Sequence, residues 1–160
     1  MIIYTWLTRC MYEMAPGTMN GFIELLPLAV LIVPALSAVR LAKFNLDERQ
    51  ATTFIGLPTP ANAMFLGFIP MAAGSVVFLN NFWIVLFLTI LFAMLLVCPI
   101  HMLSLKFKNL TWKDNYIRYI LLAIGVILLI FFRWGAFPLV ILAYIIISLI
   151  YHALVKLQIL

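Results

Sequence analysis

Residues 116–132 read YIRYILLAIGVILLIFF and, after Arg133-Trp134-Gly135, residues 136–157 read AFPLVILAYIIISLIYHALVKL. Both runs are apolar on nearly every face of a helix, and both suit a helix crossing about 30 Å of hydrocarbon. A three-residue link forces two such helices to run antiparallel. Working outward from this hairpin, similar apolar blocks lie at residues 22–41, 61–79 and 82–103. The short link Asn80-Asn81 pairs the last two of these as a second hairpin. Pro138 falls in the first turn of its helix, where the missing N–H is harmless.

Composition points the same way. Of the residues, 67% are hydrophobic and 9% charged, and the mean hydropathy is +1.20. In a soluble domain about a quarter of the residues are charged. The expectation is an all-α, polytopic membrane protein. It would be a single transmembrane domain over residues 1–160, with about five transmembrane helices plus a partial N-terminal helix. The apolar run from Ile2 to Leu7 is too short to cross. It has neither the basic start nor the small-residue cleavage site of a signal peptide, and reads as the second half of a helix. The polar patch from Glu13 to Asn20, with Pro16 and Gly17, reads as a turn. The block at residues 61–79 carries Pro70 with Ala63, Gly67, Ala72, Ala73 and Gly74, so it should kink and let a neighbour approach closely.

Threaded through these spans, the basic residues divide unevenly. Arg40, Lys43, Arg49, Lys106, Lys108, Lys113, Arg118 and Lys156 fall on one side, Arg9 and Arg133 on the other. By the positive-inside rule the crowded side is cytoplasmic. The net charge of +5 therefore speaks for loop orientation and anionic lipid heads, and no nucleic acid is expected as a partner. Cys10 and Cys98 lie far apart with no Cys-x-x-Cys pattern, so neither a disulfide nor a structural metal follows. His101 and His152 have no cysteine or carboxylate at ligand spacing and read as ordinary helix-end residues. The tryptophans fall near helix ends, as interfacial anchors do, and Glu24 lies within a turn of water.

The chemistry concentrates in one loop, between the blocks at residues 22–41 and 61–79. Arg40 and Lys43, three residues apart, share a helical face at the cytoplasmic end of a span. A guanidinium fork there can take two phosphate oxygens while the ammonium adds a point charge. Asn45 is placed either to end the helix or to bond a ligand. Asp47, Glu48 and Arg49 read as a solvated turn, whereas Gly56, Pro58 and Pro60 stiffen the return into the membrane. On spacing alone, interfacial anchoring is the better account of Arg40 and Lys43.

The segments Leu36-Ser37-Ala38-Val39-Arg40-Leu41-Ala42-Lys43-Phe44-Asn45 and Phe54-Ile55-Gly56-Leu57-Pro58-Thr59-Pro60-Ala61 resemble the second signature region of the bacterial CDP-diacylglycerol–serine O-phosphatidyltransferases, the phosphatidylserine synthases of the CDP-alcohol phosphatidyltransferase superfamily. The resemblance is detailed from Leu36 to Ala61, and elsewhere extends only to hydropathy and helix order. It implies transfer of a phosphatidyl group from CDP-diacylglycerol to L-serine, with release of CMP, at the cytoplasmic face of the bacterial membrane. It also implies a divalent cation, Mg or Mn, and a homodimer. Carried over by position, Arg40 and Lys43 would contact phosphate or the serine carboxylate. Asn45 and the segment Gly56, Pro58, Pro60 would shape the substrate pocket.

The family's preceding signature, Asp-x-x-Asp-Gly-x-x-Ala-Arg and then Gly-x-x-x-Asp-x-x-x-Asp, is absent. The only aspartates are Asp47 and Asp114, so no catalytic residue and no metal ligand can be assigned. The resemblance therefore implies a C-terminal portion lacking roughly 70 to 90 residues, by the length of three spans, and inactive alone. Two alternatives use the same helices. A small membrane transporter would need facing polar groups near the midplane, which these spans largely lack, and a structural membrane subunit leaves the Arg40 to Pro60 loop unexplained.

Overall fold

The computed structural model describes residues 1–14, 23–46, 54–103 and 112–156. These form six α-helices: α1 (Ile2–Met14), α2 (Ile32–Leu46), α3 (Thr59–Ala72), α4 (Phe82–Val97), α5 (Trp112–Phe132) and α6 (Ala136–Lys156). A 3-10 helix, Ile23–Leu31, leads into α2, and two short ones, Val77–Asn80 and Arg133–Gly135, turn α3 into α4 and α5 into α6. Two-residue strands, β1 (Phe54–Ile55) and β2 (His101–Met102), pair antiparallel with Ile55 opposite His101. The all-α expectation holds apart from this pairing.

Helix boundaries follow local chemistry more closely than hydropathy does. The block read as 82–103 stops as α4 at Val97, because Cys98 precedes Pro99 and is held extended at ψ 135°. A residue before proline is disfavoured in the α region. The block read as 61–79 ends as α3 at Ala72, two residues after Pro70, in a turn through Gly74 and Ser75. The block read as 22–41 starts as a 3-10 helix, where Pro27 and Pro34 lack the N–H groups of a regular ladder, and then runs on to Leu46. Glu13, expected in a turn, is still helical. α1 is longer than its apolar start because Ile3, Leu7, Cys10 and Met11 form one buried face. On its exposed side Arg9 Nε donates to Glu13 Oε1 at 2.8 Å.

Packing runs from α2 onto α4, from α4 onto α3, from α3 onto α6 and from α6 onto α5, with α1 laid across α3 and α4. The rings of Phe65 and Phe92 stack at 3.5 Å between centroids, joining α3 to α4 as an antiparallel pair. Trp6 Nε1 donates to the Leu79 carbonyl and fixes α1 over the α3–α4 turn. The α5–α6 hairpin is closed: a Cβ placed on Gly125 would lie 3.7 Å from Val140 Cγ1. One continuous helix would hold those residues roughly 20 Å apart.

α3 is a packing helix, though not through every small residue on it. Ala72 and Ala73 are buried, and Gly135 of the α5–α6 turn sits so near that its Cβ would meet the Ala72 Cα at 3.3 Å. Gly67 instead faces open space beside a cleft lined by Ile3, Val33 and Ala63. Two helical stretches are long and apolar enough to cross a membrane, Leu25–Leu46 and Asn115–Leu154, the second being the folded hairpin. Large apolar side chains, among them Ile130, Phe131 and Trp134, are exposed along it. A face of that kind needs lipid or protein against it.

Candidate functional site

The chain returns from α2 to α3 through a turn that only glycine can make. Gly56 has φ +79°, and a Cβ there would lie 2.4 Å from the Leu96 carbonyl oxygen. Its N–H donates to the Ile100 carbonyl at 2.8 Å, and the next N–H, of Leu57, donates to the Leu95 carbonyl at 2.9 Å. Leu57 is fully buried beneath this turn. Pro58 then occupies the N-cap of α3, with Pro60 in the first turn, where proline costs nothing. The stiffened return expected from Gly56, Pro58 and Pro60 is therefore present.

This return brings α3 against Arg40. Arg40 Nη1 donates to Thr59 Oγ1 at 3.1 Å, and the guanidinium lies near the phenol of Tyr144 on α6. Arg40 is half-buried, and its Nε is enclosed with no hydrogen-bond partner. Lys43 is exposed on the last turns of α2, beside rather than within this contact. Asn45 does not end the helix, which continues to Leu46. It is exposed and lies about 140° round α2 from Arg40 at 100° per residue. Of the residues singled out by sequence, Arg40, Gly56, Pro58 and Pro60 are brought together, while Lys43 and Asn45 stay at the rim. Asp47, Glu48 and Arg49 lie outside the described residues.

Next to this contact runs an apolar groove of about 430 Å³ between α3, α5 and α6. Pro58, Pro60, Tyr144 and Arg118 line one part of it, and Leu129, Val126 and Val140 line the rest. Arg118 also donates to Asn115 Oδ1. The surface of this groove is almost wholly apolar, so Arg118 and Tyr144 line it mainly with carbon while the Tyr144 hydroxyl is committed to the Leu103 carbonyl.

Sequence reasoning missed the support beneath the site. Tyr144, Ser148 and His152 recur every four residues and so share one face of α6. All three reach the segment that follows α4. Tyr144 Oη donates to the Leu103 carbonyl at 2.9 Å, the Leu103 N–H donates to Ser148 Oγ at 3.2 Å, and the His152 ring lies beside the Met102 backbone. The readable signal was three hydrogen-bonding residues at helical spacing in an otherwise apolar helix, where each must find a partner.

The divalent cation implied by the resemblance needs an oxygen cage. Among the described residues no group of three or more His, Cys, Asp or Glu side chains lies close enough to hold a metal. The one carboxylate whose side chain is described, Glu13, is already paired with Arg9 on the far side of α1. The described residues do not fit that ion. Comparison of the chain with protein-family models, with curated proteins and with solved structures finds no match.

Proposed function

We propose that this chain is a polytopic membrane protein whose α2–α3 return binds the phosphate or pyrophosphate head of a lipid, as part of a phosphatidylserine-synthase-like transfer. The observation that carries this reading is the half-buried guanidinium of Arg40, hydrogen-bonded to Thr59 with its Nε unpartnered, beside an apolar groove that also takes in Arg118. A guanidinium presents several donors in one plane and matches phosphate oxygens, and the groove provides for hydrocarbon tails. The apolar lengths of 25–46 and of the α5–α6 hairpin support the membrane setting. The sidedness of the basic residues supports a cytoplasmic position for the return.

The particular reaction, from CDP-diacylglycerol to L-serine with release of CMP, rests on the resemblance over residues 36–61. In that reaction the serine hydroxyl forms a new bond to the phosphorus carrying diacylglycerol, the bond to CMP breaks, and the hydroxyl proton passes to a base. Arg40 and Thr59 serve the binding half of this chemistry. The base and metal ligands fall to residues other than those described. The chain alone is accordingly expected to bind the lipid and not to turn it over.

The test is binding of CDP-diacylglycerol, and of phosphatidic acid for comparison, to the purified chain in nanodiscs. A charged hydrogen bond is worth about 1.5–3 kcal/mol, so Arg40→Ala should weaken binding by roughly tenfold or more. Unchanged affinity would return Arg40 to an interfacial anchor. Serine-dependent CMP release by the chain alone would show that its own residues supply the catalytic groups.

A further inference from the structure

We propose that His101 and His152 form a two-imidazole site for a divalent transition metal. They are remote in sequence, yet pairing of β1 with β2 and packing of β2 on α6 bring their ring centroids to 5.6 Å, with the planes 54° apart. Two imidazoles bound to one tetrahedral zinc at about 2.1 Å place their centroids about 5.3 Å apart. The apposition therefore needs only a small adjustment to share an ion.

The surroundings of His152 suit this role. Its Nε2 is buried without a hydrogen-bond partner, on a ring that lies beside the Met102 backbone. An unbonded ring nitrogen of a neutral imidazole can offer its lone pair to a metal. A buried orphan nitrogen also calls for an explanation, and an ion supplies one. His101 is exposed, so water can complete the coordination on its side. Imidazole without carboxylate selects zinc, copper or nickel and not magnesium or calcium, which want oxygen. This site is thus chemically distinct from the cation implied by the resemblance, and it stands independently of the proposed function.

Such an ion would clamp β2 to α6. Ile100, the neighbour of His101, accepts the Gly56 N–H, so the clamp would also steady the return carrying Thr59. The experiment is zinc titration of the full chain in detergent, free of any histidine tag, by calorimetry, with the thermal midpoint read in parallel. Two protein ligands, at about half the free energy of a four-ligand site, give an expected dissociation constant between roughly 1 and 200 μM. His101→Ala, at an exposed position, should weaken binding at least tenfold and abolish the rise in thermal midpoint on adding zinc. His152→Ala should do the same. Absence of zinc binding by the wild-type chain, wild-type affinity in His101→Ala, or displacement of zinc by millimolar magnesium would each overturn the proposal.

Discussion

Among the described residues two connections use the left-handed region of backbone space, and they use it differently. At the α2–α3 return the residue is Gly56, walled in by the end of α4 and held by consecutive N–H donors. At the α5–α6 turn it is Arg133, at φ +52° and exposed. The first turn is fixed by its surroundings and tolerates one residue type. The second is fixed by the helices on either side, and it accepts strain to keep a charged residue at the end of a hairpin. The difference separates a connection that builds the candidate site from one that joins two helices and packs on α3 through Gly135.

The sharpest way to break the comparison is Gly56→Ala. Left-handed strain costs about 1–2 kcal/mol. The clash with the Leu96 carbonyl adds about 1–3 kcal/mol, as overpacking does. The thermal midpoint in detergent should fall by many degrees, with lipid binding lost alongside; a fall of a degree or two would mean that the return is far looser than its hydrogen bonds indicate. A milder break removes the support from below. Tyr144→Phe deletes the donor to the Leu103 carbonyl and should cost about 1 kcal/mol, the modest size usual for such bonds in membrane helices. Ser148→Ala removes the acceptor for the same residue's N–H. Because both side chains grip Leu103, the double variant should be non-additive by about 0.5 kcal/mol or more in a double-mutant cycle. Strict additivity would show that the two bonds act independently. The smallest effect has the opposite sign: Arg133→Gly relieves the left-handed residue and should raise stability by roughly 1 kcal/mol or less. A loss of stability would assign the arginine a contact that outweighs its strain.

Much of the fold was legible because hydropathy and link length alone dictate hairpins. The α5–α6 turn at Arg133-Trp134-Gly135 and the α3–α4 turn needed nothing else. Boundaries were less legible. A window that averages hydropathy passes over Pro99 and Gly74, whereas the backbone stops at each for lack of an allowed conformation or a hydrogen bond. The site was half legible. Arg40 and the glycine-proline run stand out against apolar neighbours, but Thr59 gains its meaning only when α2 and α3 meet. Lys43 shares a face with Arg40 but stays exposed on the last turns of α2, while helical rotation carries Asn45 about 140° away. The apposition of His101 with His152 depends on β2 docking on α6, which no local spacing reveals.

In the membrane setting proposed above, the two N–H groups of Gly56 and Leu57 would also bear on hydrophobic thickness. α4 has 16 residues and is about 24 Å long, short of the roughly 30 Å of bilayer hydrocarbon. A helix that stops early leaves its final carbonyls at a depth where water is scarce, and a bare carbonyl there costs several kcal/mol. The incoming loop meets that demand: Leu57 caps Leu95, and Gly56 takes the Ile100 carbonyl just beyond the helix end. In that setting the return would sit below the level of the lipid heads without leaving these two carbonyls bare.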